Sequence, residues 1–278
     1  MEAEERGRAL SVGREIAEAL VEPLLGALAE TQSGGRAIEK KGAIDLVTEH
    51  DRRTEDFIRE QLHLALPHHR VLAEEEGASG EGESIWYVDP IDGTTNFAHG
   101  HPFFAVSMGL VHRGVAQVGL ILAPALGALY WGSLDTGAHR NAAPIRVSES
   151  EALSESLLAT GFPYDRWESD DENLREHRAI LKRSRGIRRC GAAALDLALV
   201  ASGVYDGYWE QRLSPWDLAA GAFLVELAGG RVSCYQGGAF DLERGSLVTS
   251  NGRIHDELLR VLAEARGEGG LPAEPSAR

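Results

Sequence analysis

The stretch from Ile85 to Gly100, IWYVDPIDGTTNFAHG, constrains this chain more than any other. Ile85, Trp86, Tyr87 and Val88 form an unbroken apolar, aromatic and β-branched run, which predicts a buried strand. Pro90 has no N–H for a ladder bond, so the strand is expected to stop at Asp89-Pro90. Gly93 allows a sharp turn or a close backbone approach, and Thr94, Thr95 and Asn96 suit the entry to a helix. Asp89 and Asp92 thus stand three residues apart where a strand gives way to a turn. Asp-Pro and Asp-Gly are ordinary turn chemistry. The same arrangement also suits binding: hard cations take carboxylate oxygens, and N–H groups exposed at a turn or helix start take phosphate. DPxDG alone does not choose between the two.

Bulk properties narrow the function classes. With 278 residues, 43% hydrophobic and 26% charged, the chain is a soluble globular protein of one domain or two closely packed halves. A net charge of −15 argues against nucleic-acid binding, which needs basic patches. An acidic chain that acts on an anionic phosphate repels it, and a divalent metal removes that problem locally; surface acidity alone gives the same charge. Cys190 and Cys234 lie far apart and form no C-x-x-C pair, so no zinc, redox or disulfide framework is expected, and a reducing, cytoplasmic compartment fits. The opening MEAEERGRAL is no signal peptide. Val115 to Trp131 is interrupted by Gln117, Pro124 and glycines and reads as two buried strands around a turn, not a membrane span. His63, His68 and His69 match no common zinc spacing and are expected to face solvent at a helix end.

Taken in order, residues 8 to 31 carry apolar positions at helical spacing, with Pro23 either kinking the helix or opening a second one. Thr48 is a cap for a helix from Glu49 to Leu66; Asp45 and Asp51 are capping or salt-bridge residues on physical grounds. Val71 to Ala73 is a short strand running into Glu74-Glu75-Glu76, by itself a solvated acidic loop. Phe103 to Val111, Val115 to Ala123 and Gly127 to Trp131 form an antiparallel meander, and Asn141 to Val147 one more strand. From Ser148 strands and helices alternate: strands at Leu157 to Gly161, Gly186 to Cys190 and Tyr205 to Glu210, and helices at Glu172 to Ser184 and Ala192 to Ala201. Asp165 to Asp171 is a polar loop. Pro215-Trp216-Asp217 opens an apolar helix through Leu227, where Asp217 reads generically as a cap. Strands at Val232 to Cys234 and Leu247 to Ser250 and a helix from Ile254 to Arg266 finish the fold.

The full string DPIDGTTNF resembles the signature of the inositol monophosphatase family, within the wider group of Mg²⁺-dependent, Li⁺-inhibited sugar and inositol phosphatases. P-W-D-x-A-A-G followed by E-x-A-G-G resembles the family's second signature, and K-x-x-x-x-D-L-V-T-x-x-D (from Lys40) its mobile loop and following helix. The resemblance is nearly full length. It implies a layered α/β/α/β/α sandwich; the sequence pattern divides it into an N-terminal α+β half (1–147) and a C-terminal α/β half (148–266), followed by a tail (267–278) expected to be disordered. The resemblance implies two or three Mg²⁺ ions held by Glu74, Asp89, the Ile91 carbonyl, Asp92 and Asp217. Ala73 departs from the family's G-E-E pattern. Lys40 and Asp45 become candidates for a third metal or for supporting the ligands.

Further roles follow from the resemblance alone. Glu74 and the Thr94 hydroxyl orient and deprotonate the attacking water, and the backbone N–H groups of Gly93, Thr94 and Thr95 cradle the phosphate. Gly191 to Ala193 present amides to the substrate, and Glu210 accepts from its hydroxyls; without the resemblance, Glu210 reads as a surface residue after a strand. The implied reaction is Mg²⁺-dependent hydrolysis of a phosphate monoester, inositol 1-phosphate foremost, by a homodimer without membrane or nucleic-acid partner. Sister activities on histidinol phosphate, fructose 1,6-bisphosphate or 3′-phosphoadenosine 5′-phosphate stay open. So does a non-catalytic regulator on the same fold that binds RNA polymerase or ribosomal factors.

Overall fold

The computed structural model describes residues 1–34, 38–40, 46–163 and 173–267. Its helices are α1 (Ala3–Gln32), α2 (Glu49–Ala65), α3 (Thr94–Ala98), α4 (Leu174–Leu181), α5 (Ala193–Ala201), α6 (Pro215–Leu227) and α7 (His255–Arg266). Strands β1 (Ile38–Lys40) and β2 (Leu46–Thr48) pair antiparallel ahead of α2. An eight-stranded sheet follows: β3 (Arg70–Ala73), β4 (Gly77–Ser79), β5 (Ser84–Asp92), β6 (Ala105–His112), β7 (Val115–Ala123), β8 (Ala128–Ser133), β9 (Gly137–Arg140) and β10 (Ala143–Pro144). Their order is β10-β9-β8-β7-β6-β5-β3-β4. A second sheet, ordered β12-β11-β13-β15-β14, comprises β11 (Leu157–Thr160), β12 (Gly186–Arg188), β13 (Gly207–Glu210), β14 (Arg231–Ser233) and β15 (Leu247–Ser250).

The layers stack as α/β/α/β/α. Helices α1 and α2 cover one face of the large sheet, α5 and α6 fill the space between the sheets, and α4 and α7 cover the far side of the small one. Side-chain chemistry dictates this order. Nearly every residue of α5, and Leu218 to Val225 of α6, is buried. A helix apolar on all sides has no solvent face and belongs in the middle layer. By contrast, α1, α2 and α7 each bury one stripe. Glycines set how closely the layers approach. A Cβ on Gly109 of β6 would lie 2.7 Å from both the Ala219 Cβ and the Ala220 nitrogen, and one on Gly119 of β7 would lie 2.8 Å from the Ala220 carbonyl oxygen. Helix α6 therefore rests directly on the sheet backbone, and its N-terminus reaches the end of β5.

Several expectations change. Helix α1 is one continuous helix from Ala3, with Pro23 inside it. Pro23 faces solvent, while Leu20, Leu24, Ala27 and Leu28 stay buried through that turn and hold the helix together. No strand spans Asn141 to Val147. Asn141 adopts φ 53° in a turn, its side chain bonds Leu129 N–H and the Gly127 carbonyl, and only Ala143–Pro144 pairs with the unanticipated β9. Strand β4 was also not expected; it pairs with β3 beyond the glutamate run. His69 does not face solvent. It is 3% exposed, accepts the Trp86 indole N–H (3.1 Å) and contacts Glu5 (3.3 Å). The helix expected from Glu172 covers Leu174–Leu181 in the described residues. Asp165 to Asp171 and the tail beyond Gly267 lie outside them, and both cysteines are free. Among the described residues no helix is long and apolar enough to cross a membrane.

His255 ties α7 to the small sheet. Its ring is fully buried between the hydroxyls of Ser233 (2.8 Å) and Ser250 (2.9 Å). Burial pushes its pKa down to about 4, with Arg231 adding to the effect and Asp256 opposing it. The unfolded chain takes up this proton near the ordinary value of 6.5. The unfolded state therefore binds more protons between these values. Stability from this site is full above about pH 6.5 and drains as pH falls toward 4, at up to about 1.4 kcal/mol per pH unit. Urea unfolding of the wild type and of His255→Asn should show a steeper loss in the wild type between pH 6.5 and 4.5. Parallel curves would refute the assignment, because the carboxylates common to both proteins cancel in the difference.

Candidate active site

The end of β5 builds the centre of the site. The strand pairs with β6 in regular register as far as Asp89 opposite Ser107, then slips so that Asp92 stands opposite Ala105. Pro90 does not end the strand, as its missing N–H led us to expect; it sits inside this bulge, where no ladder donor is required. The Ile91 N–H bonds back to Asp89 Oδ1 at 3.0 Å. Gly93 follows at φ 91°, a conformation that disfavours a side chain, and caps α3. A Cβ there would lie 3.0 Å from the Gly191 carbonyl oxygen, so glycine brings this turn against the segment before α5. Asn96 staples the two together, donating to the carbonyls of Phe103 (2.7 Å) and Cys190 (2.8 Å).

The carboxylates of Asp89, Asp92 and Asp217 are each held by backbone donors. Asp92 accepts from the N–H groups of Ala193 (3.0 Å), Ala194 (2.8 Å) and Leu195 (3.3 Å), the unpaired donors at the start of α5. The Ala193 amide, expected to face substrate, is thus engaged by Asp92. Asp217 Oδ2 accepts the Ser214 N–H at 2.7 Å and completes a capping box, so it is a cap and also lines the cleft. Glu74 follows β3, and its N–H bonds the Val88 carbonyl at 3.2 Å, next to Asp89. Thr94 Oγ1 lies 3.0 Å from both the Ile91 carbonyl oxygen and Asp51 Oδ1. Asp51 Oδ2 meanwhile accepts from Thr48 in the cap of α2.

These residues line a cleft of about 580 Å³. Glu74, Asp89, Ile91, Asp92, Gly93, Thr94, Thr95, Gly191, Ala193, Glu210 and Asp217 all border it. Glu210 is 8% exposed and accepts from the Tyr208 hydroxyl; it is a wall of the cleft, not a surface residue. Lys40 lies on β1 with its side chain outside the described residues, as does all of Asp45. Sequence reading missed several contributors, Arg212 of the cleft wall among them. Asp51 was read only as a capping or salt-bridge residue, and Asp196 and Arg189 line the cleft. Asp196 is 1% exposed with Oδ1 unpartnered. A carboxylate inside an otherwise apolar helix was the available signal for it.

Among the described residues the cleft is lined by six carboxylates, Glu74, Asp89, Asp92, Asp196, Glu210 and Asp217, against two arginines, Arg189 and Arg212. Burial, then Glu74, Asp92 and Asp217, push the Asp89 carboxyl well above its ordinary range. Burial and then Asp92 do the same for Asp217, and burial raises Asp92 to about 6 against the pull of the three α5 amides. Burial raises Glu210 to about 7. Among the described residues no three acidic, histidine or cysteine side chains are already closed around an ion-sized centre. The donor set nonetheless suits a hard cation: carboxylates border the cleft, Ile91 with its backbone carbonyl stands among them, and no histidine or cysteine lines it among the described residues.

Comparison with known proteins follows the same lines. Residues 8–267 match the model of the inositol monophosphatase family. The chain is 44% identical over 229 residues to an inositol-1-monophosphatase of Synechocystis, covering 81% of this chain and 80% of that protein. It is 41% identical over 227 residues to a Neisseria meningitidis protein named putative Nus factor SuhB, covering 81% and 87%. The solved inositol monophosphatase of Anabaena superposes with a TM-score of 0.83 at 41% identity, covering 96% of this chain and 98% of that one.

Proposed function

Because the chain belongs to the inositol monophosphatase family, whose members are metal-dependent and act on phosphate monoesters, we propose that it hydrolyses inositol 1-phosphate to myo-inositol and phosphate with Mg²⁺. The observation that carries this reading is the meeting of Glu74, Asp89, Asp92 and Asp217 in one cleft beside Thr94 and Gly93. Glu74, Asp89, the Ile91 carbonyl, Asp92 and Asp217 are the oxygens that would hold two or three ions. Bound Mg²⁺ supplies Lewis acidity, easing deprotonation of water and offsetting charge on the leaving oxygen.

The chain's own groups do the rest. Asp51 draws on the Thr94 hydroxyl proton and orients that oxygen toward the cleft. Glu74 and Thr94 then place and deprotonate the attacking water. The N–H groups of Gly93, Thr94 and Thr95 bind phosphate oxygens at the start of α3. Gly191 and Glu210 meet the alcohol's hydroxyls from the opposite wall, and the Ala193 amide joins them where a substrate hydroxyl displaces it from Asp92. The reading extends to a cytoplasmic, Li⁺-inhibited homodimer.

Two further readings have support. The same cleft suits the sister esters histidinol phosphate, fructose 1,6-bisphosphate and 3′-phosphoadenosine 5′-phosphate. Similarity to a protein named a putative Nus factor supports a regulatory role in binding RNA polymerase or ribosomal factors. Phosphate release from these four esters, measured with Mg²⁺, with EDTA and with Mg²⁺ plus Li⁺, tests them together. Mg²⁺-dependent preference for inositol 1-phosphate is expected. Preference for another ester moves the substrate, and no release by folded, Mg²⁺-loaded protein favours the regulatory role.

A further inference from the structure

Helix α2 carries Asp51, Glu55 and Arg59 at four-residue intervals, hence on one face. Asp51 and Glu55 are fully buried, and Arg59 is 7% exposed. Three buried charges in a row on a helix are unusual and need partners. All three find them at or beside the cleft. Asp51 meets Thr94. Glu55 accepts the N–H groups of Glu75 (2.7 Å, Oε2) and Glu76 (2.9 Å, Oε1). Arg59 pairs with Glu55 at 2.8 Å and donates to the Gly77 carbonyl (2.5 Å) and the Ser79 hydroxyl (2.6 Å).

We propose that Glu55, backed by Arg59, is a positioning residue that holds the turn of three consecutive glutamates so that Glu74 faces the site. The inference rests on reading Glu74 as a metal-holding carboxylate. Ala73 pairs with Val88 and with Gly77, so Glu74-Glu75-Glu76 is the turn between β3 and β4, and its like charges push that turn open. Glu55 fixes it by gripping the amides of the second and third members, while the Glu74 amide is held by Val88. Glu74 is then the member that borders the cleft. A buried Glu–Arg pair adds little net stability over apolar residues of the same size, so its use here is geometric.

The test uses the full-length chain and Mn²⁺ as a spectroscopic probe. Glu55→Gln leaves one carbonyl oxygen for two amides and turns an N–H₂ toward the other. Free Mn²⁺ followed by electron paramagnetic resonance should give a dissociation constant about tenfold higher than wild type, the scale seen when groups that orient metal ligands are removed. The Mg²⁺ concentration for half-maximal phosphate release from inositol 1-phosphate should rise similarly, with KM for the ester at saturating Mg²⁺ unchanged. Ile58→Val, a fully buried change on the same helix, should leave Mn²⁺ binding unaltered. Arg59→Lys, which cannot reach Glu55, Gly77 and Ser79 together, should weaken Mn²⁺ binding and decides the matter if Glu55→Gln does not fold. Wild-type Mn²⁺ affinity in both Glu55→Gln and Arg59→Lys, or equal losses in Ile58→Val, would overturn the positioning role alone. A wild-type protein that binds no Mn²⁺ would overturn the metal reading and the positioning role with it.

Discussion

Asp217→Asn is expected to lower kcat for phosphate release by about a thousandfold or more, roughly 4 kcal/mol of transition-state stabilisation. The asparagine can keep the Ser214 N–H bond through its carbonyl oxygen, so the capping box and the start of α6 should survive. What is lost is one negative charge facing Asp89, Asp92 and Glu74 across the cleft. If the carboxylates of this cleft hold a cation, removing one of them takes away charge that the ion needs. A merely structural role would behave otherwise, since Asn at this third helical position can still accept the N–H of the Ser214 cap. Initial rates at saturating Mg²⁺ and ester, with folding checked by circular dichroism, separate the two roles. Activity within a few-fold of wild type would reduce Asp217 to a cap and remove the metal model.

Mg²⁺ should also stabilise the folded protein markedly. Two carboxylates about 4 Å apart repel by roughly 1 to 4 kcal/mol at surface-like dielectrics, and several face this cleft. An ion that binds only the folded state adds about 2.7 kcal/mol at a hundred times its dissociation constant. For a chain of this size that raises the melting temperature by roughly 5 to 10 °C. The comparison is thermal unfolding in MgCl₂ against NaCl of equal ionic strength, because simple screening acts in both. In Asp217→Asn the Mg²⁺-specific rise should fall to less than half. Equal melting in the two salts would show that the acids gather for a reason other than a cation.

Much of this protein is legible in its residues taken singly. The apolar run before Asp89 makes a buried strand, and the all-round apolar sequences of α5 and α6 place them between sheets. Thr48 begins α2 as its chemistry requires. Local rules failed where a neighbour supplied what they assumed missing. Pro90 stays in a strand because the bulge asks for no donor there, and Pro23 stays in a helix because the buried stripe continues past it. His69 was read as a surface residue because its burial depends on Glu5 and Trp86, far off in the chain.

The candidate site divides in the same way. Residue chemistry marked Asp89, Asp92, Gly93 and Thr94 as a turn suited to a cation and a phosphate, whereas Glu74 and Asp217 became candidates through the family resemblance, since alone they read as a solvated loop and a helix cap. How these groups are held depends on packing between distant segments. Asp92 is bound to the amides of a helix a hundred residues on, Thr94 to Asp51, and the Glu74 turn to Glu55 and Arg59. The reason is physical: the identity of a donor atom is local, but the low-dielectric enclosure and the opposing hydrogen-bond partners that orient it exist only once distant segments have packed together.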